Sequence, residues 1–263
     1  MIKMTLLQET PAVVVGIVIF VLIIVFFSLG NRLRDSMIRK DPEHVKTDLK
    51  PINGMLIGLL GLLLAFTFSM SNSRFDTRRE LVVREANIIG TAILRTDIYP
   101  DSVRKLLRSG LKDYLEARIA FYQAGMNIEN AIIHYREADS IGKKIWSIAA
   151  GYARINDITT RTSQLIPALN ELIDITTTRK AAGEGTIPDS IMYFLFTLCC
   201  ITTFLLGYDY QGKIDWIIVI SFSIMLSATV FTIIDLDRPR GGLIKLDKAN
   251  QNIVELREMF KGD

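Results

Sequence analysis

Few side chains in this sequence have the types and spacings that make or break bonds. The two histidines, His44 and His134, are far apart, and neither begins an HExxH run. No GxxxxGK[ST], GxGxxG or GxSxG segment occurs. Cys199 and Cys200 are adjacent inside an apolar block, where they suit small apolar fillers better than a disulfide or a metal site. Asp235 and Asp237 flank Leu236 and could hold a hard cation such as Ca²⁺. Two carboxylates are few for that task, and an interfacial ion pairing with Arg238 and Arg240 accounts for them as well. The reading is therefore no enzyme, no cofactor and no resident metal.

The more informative chemistry is non-covalent and lies between Pro51 and Asn87. Gly54, Gly58, Gly61 and Ala65 form a small-residue stripe of the kind that lets membrane helices approach closely. Beside it, Gly58, Leu62, Phe66, Ser69 and Ser73 fall within about a quarter-turn at ~100° per residue. If several copies of this helix surround an axis, one stripe packs and the other lines a passage. Leu62 and Phe66 would then form an apolar constriction that can gate by dewetting, with serines below. The alternative is that Leu and Phe face lipid or neighbouring helices. Arg74, Arg78 and Arg79 follow, either as membrane-interface anchors or as a basic ring that concentrates anions at the inner mouth. Asp76 and Glu80 lie within helical reach of Arg79 and Arg84 and neutralise part of that charge. Further polar residues, Glu85, Asn87, Asn170 and Asp174, are placed to hold helices in register through buried hydrogen bonds.

The elements that must position these residues are helices, four of them apolar. The chain has 263 residues, 49% hydrophobic, with mean hydropathy +0.29. Its formal net charge of +3 is too small to argue for nucleic acid. Pro11 to Gly30 is the first candidate span. Ser28-Leu29-Gly30 resembles a cleavage triplet, but the apolar run is too long for a signal core and Arg32 and Arg34 follow at once, so a retained helix is expected. The second span starts at Pro51, carries no charge to Met70, and continues without a proline to Tyr99 as one helix leaving the bilayer. Ile191 to Gly207 and Ile214 to Ile234 form a hairpin across the polar turn GYDYQGK. Between the pairs, soluble helices are expected from Asp101 to Gly125, Ile128 to Ile155, and Asp157 to Lys180, with Pro167 kinking or dividing the last and AAGEG, Ala181 to Gly185, breaking the chain after it. The expected organisation is a first transmembrane pair over 1–71, a helical domain over 72–187, a second transmembrane hairpin over 188–235, and a tail over 236–263 that packs on the helical domain through NQNIVELREMF. Four spans put both ends on one side. Eleven Lys or Arg flank that side, Lys3 among them, against seven on the other, Lys46 among them. That bias assigns the termini and the helical domain to the cytoplasm.

The segment LLLAFTFSMSNSRFDTRREL resembles the signature of bestrophin-type proteins. The closer resemblance is to the bestrophin-like domain family of bacterial and plant membrane proteins. Its R-[FY]-D-x-R pattern stands as Arg74-Phe75-Asp76-Thr77-Arg78, and its EAN-x-[IL]-G-T pattern as Glu85-Ala86-Asn87-Ile88-Ile89-Gly90-Thr91. A later pattern stands as Leu169-Asn170, Asp174 and Arg179, and a tail pattern as Asp237-Arg238-Pro239-Arg240-Gly241-Gly242, with Arg240 in place of a Phe. The resemblance implies an all-α integral membrane protein with four transmembrane helices and a helical cytoplasmic domain. It also implies a homo-oligomer, a pentamer in bestrophins, passing chloride-like inorganic anions through a neck on the second helix, here Gly58, Leu62 and Phe66, in the cell membrane. The Arg-Trp-Trp segment common in bestrophins is reduced here to Arg74-Phe75, and an acidic calcium-clasp cluster is missing. The second reading is a non-conducting, membrane-anchored sensor or partner-binding protein, motivated by a soluble domain larger than a pore needs.

Overall fold

The computed structural model describes residues 10–40, 49–156 and 159–261; Lys3, His44 and Lys46 lie outside them. Helices α1 (Ala12–Lys40), α2 (Lys50–Arg95), α3 (Asp101–Gln123), α4 (Ile128–Asn156), α5 (Thr159–Glu184), α6 (Asp189–Asp209), α7 (Trp216–Asp237) and α8 (Asp247–Glu255) follow one another, with no strand among the described residues. Four helical stretches are long and apolar enough to cross a membrane. The chain is an all-α, four-span protein. It divides into two compact units, Met1–Arg74 with Thr186–Arg238, and Phe75–Gly185 with Pro239–Asp263.

In the first unit, Ile19 and Ile23 of α1, Leu60 of α2, Leu195 and Cys199 of α6, and Val230 and Ile233 of α7 share one buried core. The tightest approach is between α1 and α6. A Cβ on Gly207 would lie 2.0 Å from the Phe27 carbonyl oxygen, and one on Gly30 would lie 2.1 Å from that of Phe204. Only glycine permits backbones this close, and lipid-embedded helices gain their contact from such notches because water supplies no drive. Gly30 lies well inside a continuous α1. Polar side chains tie the bundle: Ser71 Oγ donates to the Ile233 carbonyl at 2.6 Å, and Asn53 Nδ2 donates to Asp209 Oδ2 at 2.9 Å. Asp215 caps α7 by accepting from the Ile217 amide at 3.0 Å.

The second unit is a soluble-type helical bundle. Buried residues recur on α3 at Leu107, Leu111, Tyr114, Leu115, Arg118 and Ile119, the spacing of one helix face. They meet Val82, Ile89 and Ile93 of α2, Ile145 of α4, and Leu165, Leu169 and Leu172 of α5. Pro167 does not divide α5, and Ala181 to Gly183 extend that helix to Glu184 instead of breaking it. Ile253 of α8 and Phe260 complete the core, while Arg257 grips Glu116 of α3 through two bonds of 2.7 and 2.6 Å.

Candidate functional site

The stripe isolated in the sequence lies on the outside of the chain. Gly58, Leu62, Phe66, Ser69 and Ser73 are all exposed, Leu62 by 54% and Phe66 by 61%. They span about 22 Å at 1.5 Å per residue, most of a hydrocarbon core. The small-residue stripe beside them is open too: a Cβ on Gly54, Gly58 or Gly61 would meet nothing within 4 Å. Close packing by small residues occurs within the protomer, but at Gly30 and Gly207. Of the residues in its span, 17% are buried on α2, against 33% or more in each other span. The buried positions are Asn53, Leu60, Thr67 and Ser71, the opposite face.

The basic residues that follow on α2 differ in exposure. Arg79 is exposed and Arg74 half-buried, but Arg78 is only 6% exposed and is packed within its own chain. Of the three arginines read either as interface anchors or as a ring at an inner mouth, Arg78 is covered by its own chain, while Arg79 and part of Arg74 stay open. Helical spacing places residues 74 and 78 together, yet at Arg78 the helix face turns into the protein.

The polar residues expected to lock the helices also separate. Asn87 and Asp174 are exposed, and Asn170 accepts the Trp146 indole N–H at 2.8 Å near the surface. Glu85 alone of the four is buried, with 0% exposure. Both its oxygens are held by arginines: Arg118 of α3 donates through Nε to Oε1 and through Nη2 to Oε2, the latter at 3.1 Å, and Arg179 of α5 donates to Oε2. Burial by itself would raise the Glu85 pKa, but the charges and hydrogen bonds of Arg118 and Arg179 outweigh it and draw the carboxyl down to about 2. Arg118 resists its own burial in return, its pKa raised by Glu85. Tyr114, pushed up by burial and by the Glu85 charge, keeps its proton and donates to the Leu172 carbonyl at 3.2 Å. The Phe121 ring carries two guanidiniums, Arg118 at 4.6 Å and Arg240 at 4.2 Å from its centroid. Arg240, expected to pair with Asp235 and Asp237, instead donates to the Phe121 and Gly125 carbonyls at 3.2 and 3.3 Å.

Asp237 accepts the Ile187 amide at 2.9 Å, and no group of three or more His, Cys, Asp or Glu is placed to hold a metal among the described residues. His134 contacts Glu137 at 3.0 Å on the surface of α4. Cys199 packs in the membrane-unit core.

The family model of the bestrophin-like domain matches residues 13–250. This chain belongs to the bestrophin-like family. Solved structures agree in fold. A variant of a bacterial bestrophin homolog from Klebsiella pneumoniae is 14% identical, with TM-score 0.69 over 95% of this chain and 98% of that one. The same homolog solved by zinc phasing is 12% identical, with TM-score 0.67 over 95% and 99%. A variant described as a membrane protein gives 13%, 0.68, 95% and 98%. At such identities the likeness establishes the fold alone, and no curated relative matches the chain.

In this bestrophin-like chain two of the sequence patterns turn out to be one object. Glu85 of the first and Arg179 of the second close a single buried ion pair. Arg118 was missed in the sequence, although a signal existed. It stands on the apolar face of α3 between Leu115 and Ile119, and a charge in the buried phase of a helix requires a buried partner.

Proposed function

We propose that this chain is the subunit of a homo-oligomeric, bestrophin-like channel that passes small inorganic anions along an axis lined by α2. The observation that carries the reading is the outward, unpartnered stripe of Gly58, Leu62 and Phe66 on the least buried span of the protomer. Several copies arranged around an axis, five by analogy with bestrophins, would cover the glycine stripe and leave Leu62 and Phe66 facing the hole. An apolar neck passes weakly hydrated ions more easily than strongly hydrated ones and closes by dewetting. Ser69 and Ser73 offer hydroxyls below it, and Arg79 with Arg74 adds positive potential at the cytoplasmic end. The proposed setting is the cell membrane, with termini and helical unit in the cytoplasm.

Planar-bilayer recording from the purified, reconstituted protein tests this. The expected result is a chloride-carrying current whose amplitude or ion preference changes in Phe66→Ala. An absent current, or one that Phe66→Ala leaves unaltered, overturns the pore assignment. Light scattering in detergent adds an independent check: monomers or dimers leave no axis to conduct along and favour a non-conducting sensor.

A further inference from the structure

The helical unit gathers three guanidiniums around one buried carboxylate. Arg118 and Arg179 pair with Glu85, and Arg118 and Arg240 lie over the Phe121 ring, so three guanidiniums share one directly paired carboxylate; Asp139 acts on the neighbouring Tyr114 only through space. Arg118 is 1% exposed, yet its Nη1 has no hydrogen-bond partner. Arg240 finds only two neutral carbonyls and has no carboxylate partner among the described residues. Its pKa is lowered by burial and by the neighbouring Arg179 and Arg118 charges, so the three cations repel one another. Asp247, a further carboxylate of this unit, accepts the Tyr122 hydroxyl. A buried guanidinium nitrogen without an acceptor is costly, and burying a surplus of cations without a counter-charge is more so.

We propose that the Arg118–Arg179–Arg240 cluster is a binding site for a small inorganic anion, separate from the α2 stripe. Arg118 is fully covered, Arg179 is mostly covered with its side chain 12% exposed, and Arg240 is part-exposed, so in this assignment an anion enters past Arg240. The aromatic floor of Phe121 lies under the guanidiniums, so the ligand is a compact ion held by N–H donors, not a stacked base. Guanidinium donors match both halides and tetrahedral oxyanions. The assignment does not depend on whether the protein conducts.

The test is thermal unfolding of the full-length protein in detergent. Chloride or inorganic phosphate is titrated into sodium gluconate at constant ionic strength, and tryptophan fluorescence reports the transition. The expected result is a Tm that rises by roughly 3–5 °C per tenfold increase in the bound anion above its dissociation constant. Arg240→Gln, which removes one cation and no packed core residue, is expected to weaken this response at least tenfold while raising Tm in gluconate alone. A response to chloride at lower concentration identifies a halide site, and one to phosphate an oxyanion site. Equal Tm responses in wild type and Arg240→Gln, or no response to either anion in the wild type, overturn the proposal.

Discussion

Along α2, the stretch from Asn53 to Ser71 and the stretch from Val82 to Ile93 invert each other's chemistry. In the first, three of the four buried residues are polar: Asn53, Thr67 and Ser71 point inward beside Leu60, and Gly54, Gly58, Gly61, Leu62, Phe66 and Phe68 point out. In the second, Val82, Ala86, Ile88, Ile89, Ala92 and Ile93 point inward, with Glu85 as the buried charge. The solvent explains the inversion. Hydrocarbon tails satisfy an apolar side chain as well as a core does, so polar groups seek protein partners and small residues define the contacts. Water rewards apolar burial instead, so the second stretch closes over its hydrophobic face and tolerates one carboxylate only with two arginines on it.

Glu85→Gln gives the largest expected effect. It leaves Arg118 and Arg179 covered without a counter-charge and should cost about 3–5 kcal/mol, read as a collapse of Tm or failure to fold. A variant as stable as wild type would remove the electrostatic half of the comparison.

The same group predicts a pH dependence. Its folded pKa of about 2 lies below the ordinary value of 4.5. The folded state therefore binds fewer protons than the unfolded chain in that window. The stability from Glu85 is complete above about pH 4.5 and is lost as pH falls toward about 2. Tm measured against pH should drop over that interval and level off above it.

Substitutions at glycine sharpen the other half. Gly207→Ala drives a Cβ into the Phe27 backbone, which has no rotamer to yield, and should cost about 1–3 kcal/mol or more. Gly58→Ala meets open space within the protomer and should leave its unfolding nearly unchanged. In the proposed oligomer it should weaken assembly, seen as a shift toward smaller species by light scattering. The smallest effect is expected at Arg257→Ala. Its pair with Glu116 is nearly half exposed on both sides, and exposed pairs are worth about 0–1 kcal/mol.

Much of this was legible in the sequence because it depends on local patterns. The four spans, the uninterrupted passage of α2 out of its apolar run, and the helices from Asp101 and Ile128 follow from composition, charge placement and capping. The outward stripe through Leu62 and Phe66 was legible as a stripe. Where the structure narrows or departs from the sequence reading, the reasons are local. Pro167, in the third turn of α5, costs a hydrogen bond that tertiary contacts on Leu165, Leu169 and Leu172 offset. Ala181 to Gly185 reads as a breaker, yet the helix continues to Glu184 and stops only at the end of that run. Arg78 shares helical spacing with Arg74, but spacing does not tell which phase of a face turns inward.

By itself the sequence determined which segments enter lipid, that they are helices, and which residues share a helix face, because hydrophobic length and a 3.6-residue period are properties of neighbours along the chain. Only the tertiary structure decided that Glu85, Arg118, Arg179 and Arg240 form one cluster, that Gly30 and Gly207 make the notch between α1 and α6, and that Asn87 and Asp174 stay at the surface. Those pairings join residues many turns apart, and an ion pair or a backbone clash acts only over a few ångströms. Until the fold brings the partners together, no local pattern records them.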